Sequence, residues 1–280
     1  MRNRIVAGNW KMNLTPTETE EYVRAFLPQV ADRFLSRPVT ELAKSERSER
    51  RRSNVKIILI PPFTSLDRAG RLLTGRPSIA LGAQNLHFES NGAFTGEIST
   101  SMLLDCGCQY VLAGHSERRH VFGESDALVA SKLRAALTAG LAPILCVGET
   151  LDERRKGATL DVLVRQLSSA LTGPEARDVD LGPVVVAYEP VWAIGTGETA
   201  SSEQAEETIG EIRGWIESSI GSESAESTAI LYGGSVKPAN TAELLTQPNI
   251  DGVLVGGASL KPDSFASIVS EAFTSNTERG

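Results

Sequence analysis

The sequence predicts the α/β class, and within it a single (β/α)8 barrel of eight parallel strands that takes residues 1–280 as one domain. Three observations carry that expectation: eight short apolar runs recur along the chain, longer amphipathic stretches separate them, and each run gives way to a polar or glycine-rich segment. Parallel neighbours need a crossover, which a helix supplies. Eight such units in roughly 250 residues favour a closed barrel over an open doubly wound sheet, and place function at the carboxyl ends of the strands.

The first strand is expected at Ile5–Ala7 and runs into Gly8-Asn9-Trp10-Lys11-Met12-Asn13, where Asn9 and Lys11 stand on alternate positions and can point to one face. The plain alternative for Lys11 is a solvated surface residue. A helix is expected over Thr17–Phe34. Residues 37–54 then read as a charged insertion, with six basic and three acidic residues, locally +3 while the remainder is −10. No aromatic or glycine pattern accompanies that charge, so it fits a solvated helix extension or loop better than a nucleic-acid surface.

Val55–Ile60 and Ile79–Ala83 are the next two strands, separated by a helix at Leu66–Leu73. After the third strand, Asn91-Gly92-Ala93-Phe94-Thr95-Gly96-Glu97 exposes Phe94 between glycines. A helix at Ser99–Asp105 leads to the fourth strand, Tyr110–Ala113, which ends in Gly114-His115-Ser116-Glu117-Arg118-Arg119. A helical turn starting at Ser116 would set its positive end beside His115 and favour the neutral imidazole. A core histidine bonded to backbone is the alternative, and His87 and His120, which lack a strand-end setting, read as structural.

The fifth strand, Pro143–Val147, follows a helix at Ser125–Ala139 and contains Cys146. Three cysteines in a long chain suggest reduced thiols, and Cys106 and Cys108 have neither zinc-knuckle spacing nor a second ligand pair, so buried structural cysteine is expected and no metal site. Past a helix at Asp161–Leu171, the sixth strand, Val184–Tyr188, stops at Glu189, because Pro190 cannot continue the ladder and holds the residue before it extended. The apolar Val191-Trp192-Ala193 and the glycines of Ile194-Gly195-Thr196-Gly197 read as a lid hinged at either end. A carboxylate at the mouth of a buried strand, beside a flap that excludes water, has the setting of a general base. The plain alternative is a loop glutamate capping the next helix, Ser202–Ser219.

Two glycine pairs close the pattern. Gly233-Gly234-Ser235 follows the seventh strand, Ile230–Tyr232, and Gly256-Gly257-Ala258-Ser259 follows the eighth, Gly252–Val255, with helices at Thr241–Leu245 and Pro262–Phe273. Each pair alone could serve a turn. After strands seven and eight of a barrel, together, they read as a phosphate cradle of backbone N–H groups. The composition, 41% hydrophobic and 22% charged, is that of an ordinary globular protein, and a net charge of −7 argues against general nucleic-acid affinity. With no apolar stretch after Met1-Arg2-Asn3-Arg4 and no run of membrane-spanning length, a cytoplasmic protein with no membrane or nucleic-acid partner is expected.

Asn9-Trp10-Lys11-Met12-Asn13, Gly114-His115-Ser116-Glu117-Arg118-Arg119, the run from Ala187 to Gly197, Tyr232-Gly233-Gly234-Ser235 and Leu254-Val255-Gly256-Gly257-Ala258 resemble, in order and over nearly the whole chain, the signature segments of the triosephosphate isomerase family. That resemblance implies a glycolytic and gluconeogenic isomerase of triose phosphates, working without metal or organic cofactor. It implies Glu189 as the base, a neutral His115 polarising the carbonyl and moving protons, Lys11 as the fixed cation, and Asn9 as a hydrogen-bond partner of the substrate oxygen. Gly195, Ser235, Gly256 and Gly257 would hold the phosphate. It also implies a homodimer in which the Phe94-Thr95 loop reaches the partner beside Asn9 and Lys11. Glu117 matches a family position near the site without an assigned role. The chain departs from the family in the 37–54 insertion and at Glu198, where lysine is frequent, which bears on the lid hinge. Another phosphosugar-binding barrel, an isomerase, epimerase or lyase, would share the glycine cradle but not the set Asn9, Lys11, His115 and Glu189. A catalytically silent barrel scaffold would be favoured by loss of any of those four.

Overall fold

A computed structural model describes residues 2, 4–30, 55–176, 180–194 and 200–278. Eight strands pair in parallel, each with its sequence neighbour, and close into a barrel in the order one to eight. They are β1 (Arg4–Asn9), β2 (Val55–Ile60), β3 (Ile79–Ala83), β4 (Cys108–Ala113), β5 (Ala142–Val147), β6 (Val185–Tyr188), β7 (Ile230–Tyr232) and β8 (Gly252–Val255). Closure is made where Ile5 to Gly8 of β1 register with Gly252 to Val255 of β8.

Alternation along each strand builds two cores. Ile5 and Ala7, Ile58 and Ile60, Val185 and Ala187, and Leu231 pack with Ile144, Cys146 and Leu254 inside the barrel. The residues between them, such as Val6, Ile57, Leu59, Val186 and Ile230, face the surrounding helices. Because the side-chain period is two, inward residues fix what the strand delivers at its carboxyl end. Ile5 and Ala7 are followed by Asn9; Val185 and Ala187 are followed by Glu189.

The described helices are α1 (Pro16–Val30), α2 (Leu66–Leu73), α3 (Thr100–Asp105), α4 (Ser116–His120), α5 (Asp126–Thr138), α6 (Leu151–Arg155), α7 (Thr159–Leu171), α8 (Ser202–Ser219), α9 (Ser222–Ser227), α10 (Pro238–Thr246) and α11 (Pro262–Glu278). Several starts differ from expectation by one residue because the polar residue there is the cap and not the first helical turn: the Ser99 and Ser125 side chains accept the backbone N–H of Met102 and Leu128. α10 begins earlier than expected, at Pro238, since proline suits the first helical position. α6 and α9 were not expected. α6 is short, and its start is fixed by reciprocal bonds between Thr150 and Glu153. β4 begins two residues earlier than expected, at Cys108, which pairs with Leu81 before the register shifts between Leu81 and Gly82. Cys108 and Cys146 are buried as expected, whereas Cys106, at the end of α3, is half-buried. The charged segment at 37–54, the last residues expected for the first helix, and Gly195 and Glu198 of the lid lie outside the described residues.

Candidate active site

Three strand ends, those of β1, β4 and β6, bring Asn9, Lys11, His115 and Glu189 to the border of one cavity of about 430 Å³, a size that suits a small ligand. Ser235, Gly256 and Gly257, from the ends of β7 and β8, border the same cavity. The structure therefore brings together the described residues that the sequence offered for chemistry and for holding the phosphate.

Glu189 is only 2% exposed. Its Oε2 accepts the Ser116 backbone N–H at 2.8 Å, and its Oε1 lies 3.1 Å from His115 Nε2. The backbone of Glu189 rests directly on the turn after β5: a Cβ at Gly148 would come within 1.8 Å of the Glu189 carbonyl oxygen, so only glycine fits there. Its N–H donates to Val147 O at 2.7 Å. The carboxylate is thus aimed by two neighbouring strand ends and not by its own loop.

His115 owes its position to Gly114, whose φ of +73° turns the chain out of the strand. The imidazole then caps α4, with Nδ1 accepting the Glu117 backbone N–H at 3.2 Å. A nitrogen that accepts cannot also carry a proton, so the ring fits as the neutral tautomer protonated on Nε2, the atom facing Glu189. Glu117 Oε2 stands 3.8 Å from Nδ1. That is too long for a charged hydrogen bond, and the nitrogen is already engaged.

Glu117 instead serves Lys11: its Oε1 accepts the ammonium at 2.7 Å. Lys11 has the uncommon φ of +52° for a residue with a side chain. Its N–H is taken by Asn9 Oδ1 at 3.0 Å and its carbonyl by Gln84 Nε2 at 2.8 Å. Gln84 also donates to Ile60 O at 3.1 Å, which ties the loop to the end of β2. Neither Gln84 nor the partnership of Glu117 with Lys11 was found from the sequence, because each joins distant strand ends.

At the near end of the lid, Trp192 Nε1 donates to Glu149 Oε1 at 2.9 Å. Glu149 is fully buried. Its charge is met by Arg154 at 3.1 Å and by the Tyr188 hydroxyl at 3.1–3.2 Å, while the Arg154 guanidinium lies 4.7 Å over the Trp192 ring. Glu149 carried no sequence signal beyond its position after β5. The far end is set by Ser201 and Gln204, which exchange backbone-to-side-chain bonds at the start of α8. Among the described residues no group of histidine, cysteine and carboxylate side chains is arranged to hold a metal.

A family model described as triosephosphate isomerase matches residues 4–272. Three curated relatives, each named triosephosphate isomerase, are similar along almost their whole lengths. That of Aquifex aeolicus is 48% identical over 266 residues, 95% of this chain and 98% of the relative. That of Symbiobacterium thermophilum is 47% identical over 97% of this chain and 98% of its own. That of Thermoanaerobacter pseudethanolicus is 46% identical over 96% and 99%.

Proposed function

The chain belongs to the triosephosphate isomerase family, and from that premise we propose how its residues carry the reaction. The enzyme interconverts dihydroxyacetone phosphate and D-glyceraldehyde 3-phosphate. Glu189 takes a proton from the carbon beside the carbonyl and returns it to the neighbouring carbon. His115 donates from Nε2 to the oxygen that gains charge, then takes the proton from the other oxygen. Lys11 holds the negative charge of the enediolate, and Asn9 hydrogen-bonds a substrate oxygen. Proton removal and return balance, so the path needs no metal and no organic cofactor.

The observation that supports this most is the contact of His115 Nε2 with Glu189 Oε1 at 3.1 Å in the cavity that Lys11 borders. A base and an acid within one hydrogen bond of each other can flank the two carbons of an aldose–ketose pair. Both Glu189 oxygens are occupied here, so substrate entry requires the carboxylate to leave the Ser116 N–H. The phosphate rests on Gly195, Ser235, Gly256 and Gly257, and its binding energy offsets lid closure and the displacement of Glu189.

We also read the working form as a cytoplasmic homodimer joined through the Phe94-Thr95 loop. No helix among the described residues is long and apolar enough to cross a membrane. A coupled assay with D-glyceraldehyde 3-phosphate should show rapid isomerisation without added metal. A folded protein that is silent in that assay would remove the proposed path.

A further inference from the structure

The turn after β8 is braced from behind by a residue that the reaction does not use. Gly257–Leu260 forms one turn of 3-10 helix, and within it Ser259 is completely buried. Ser259 donates its N–H to the Gly256 carbonyl at 2.8 Å and its hydroxyl to the same carbonyl at 2.7 Å. The Ser259 carbonyl in turn accepts the Tyr22 hydroxyl at 2.7 Å. Two carbonyls of the turn are therefore held by protein donors, and the turn faces the cavity with Gly256, Gly257 and Ala258. The packing leaves no slack: a Cβ at Gly8 of β1 would meet the Ser259 Cβ at 3.0 Å and the Phe265 ring at the same distance.

Tyr22 itself is fixed. It is 4% exposed in α1, its ring centroid lies 4.5 Å from that of Trp10 and 5.9 Å from that of Phe26. Burial pushes its phenol well above the ordinary range, so it remains a protonated donor. Among the described residues, no other side chain of α1 hydrogen-bonds the turn.

We propose that Tyr22 is a positioning residue for the phosphate group: by holding the Ser259 carbonyl it sets the backbone that Gly256 and Gly257 present to the substrate. This rests on the reading that those glycines receive the phosphate. A cradle of backbone N–H groups works only when its donors converge, and a turn released by one hydrogen bond loses that convergence. The loss should appear in binding of the phosphate and not in the proton transfers.

The test is Tyr22→Phe, which removes one oxygen. A hydrogen bond of ordinary net worth corresponds to about three- to tenfold in an equilibrium constant. KM for D-glyceraldehyde 3-phosphate and the inhibition constant of inorganic phosphate should both rise by that factor. Turnover of unphosphorylated D-glyceraldehyde, which does not use the cradle, should be unchanged. Phe26→Leu is the packing control: it should lower the melting temperature and leave KM and phosphate inhibition as they are. Should Tyr22→Phe prove unstable, the rise in melting temperature given by added phosphate, compared with that of Phe26→Leu, reads the same quantity, and it should be smaller in Tyr22→Phe. Unchanged KM and inhibition constant in Tyr22→Phe, an equal loss on both substrates, or an equal rise in KM in Phe26→Leu would each overturn the proposal. Failure of inorganic phosphate to compete in the unaltered enzyme would instead remove the phosphate reading beneath it.

Discussion

Glu189 is poised but occupied, with one oxygen on the Ser116 N–H and the other facing His115. Glu189→Gln keeps the shape and removes the proposed base, so its turnover should fall on the order of 100- to 10,000-fold; Glu189→Asp retracts the carboxylate by one methylene and should keep part of the activity. Near-normal turnover of the glutamine variant, measured in the coupled assay, would take Glu189 out of the role. The thiols give a second residue-level expectation. Burial pushes Cys108 up to about 12 and Cys146 well above its ordinary range, while half-buried Cys106 is raised less. At pH 8 a thiol reagent should modify only Cys106 in the native protein, and slowly, and all three cysteines after denaturation. The sign for stability follows: Cys108 favours the fold while the thiol is protonated in both states, and this contribution is lost as pH rises from about 9, where the unfolded thiol ionises, to about 12. Urea midpoints measured across that window should fall. The residues proposed to react were legible because each stands at a strand's last residue or within two residues past it, where apolar alternation stops. Their supports were not: Trp192 and Glu149 are 43 residues apart, and Gln84 and Lys11 are 73 apart, so only the closed barrel makes them neighbours.

At the scale of elements, strand cores were readable from apolar runs of β length, and β2, β3, β7 and β8 have the expected bounds. Short helices were not, because α6 and α9 have five and six residues and too few positions to show a period. The segment that the sequence reads as a lid is where activity should depend most finely. Its near end is tied by Trp192 to the buried Glu149, and its far end by the Ser201 cap of α8. Glu198 falls between these anchors, outside the described residues. A carboxylate near the path of a phosphate dianion repels it, but at about 4 Å in bulk water the interaction is only about 1 kcal/mol, and little survives beyond a screening length of about 8 Å. Glu198→Lys should therefore change catalytic efficiency by less than about threefold, and the difference should shrink with added salt. A hundredfold change that persists at high ionic strength would place Glu198 against the substrate or in a buried hinge contact.

The molecule leaves several large apolar side chains in water. Met12 is 95% exposed, Val121 72%, Phe122 65%, Met102 55% and Phe94 42%, and they belong to the connections that follow β1, β3 and β4. Apolar side chains left this exposed are candidates for burial against a second chain. Lys11, immediately before Met12, sits at a positive φ, a conformation that costs on the order of 1–3 kcal/mol and persists only when its surroundings over-determine it. Asn9, Gln84 and Glu117 hold it from within the chain. A second copy covering Met12 would hold it from outside, and the proposed two-fold dimer would do this for both sites at once. The Phe94 ring packs 4.3 Å from His87, so the loop after β3 would have a firm base in the proposed dimer contact. Sedimentation should accordingly show a dimer. Phe94→Asp places a charge in that contact and should yield a folded monomer, because the residue lies outside both cores. Turnover of the monomer should drop by on the order of 100-fold, as displacement of Lys11 misaligns the reacting groups, and it should recover in part at protein concentrations where the dimer re-forms. A fully active Phe94→Asp monomer would show that the strand ends of one chain hold Lys11 unaided, and that the exposed apolar surface serves something other than catalysis.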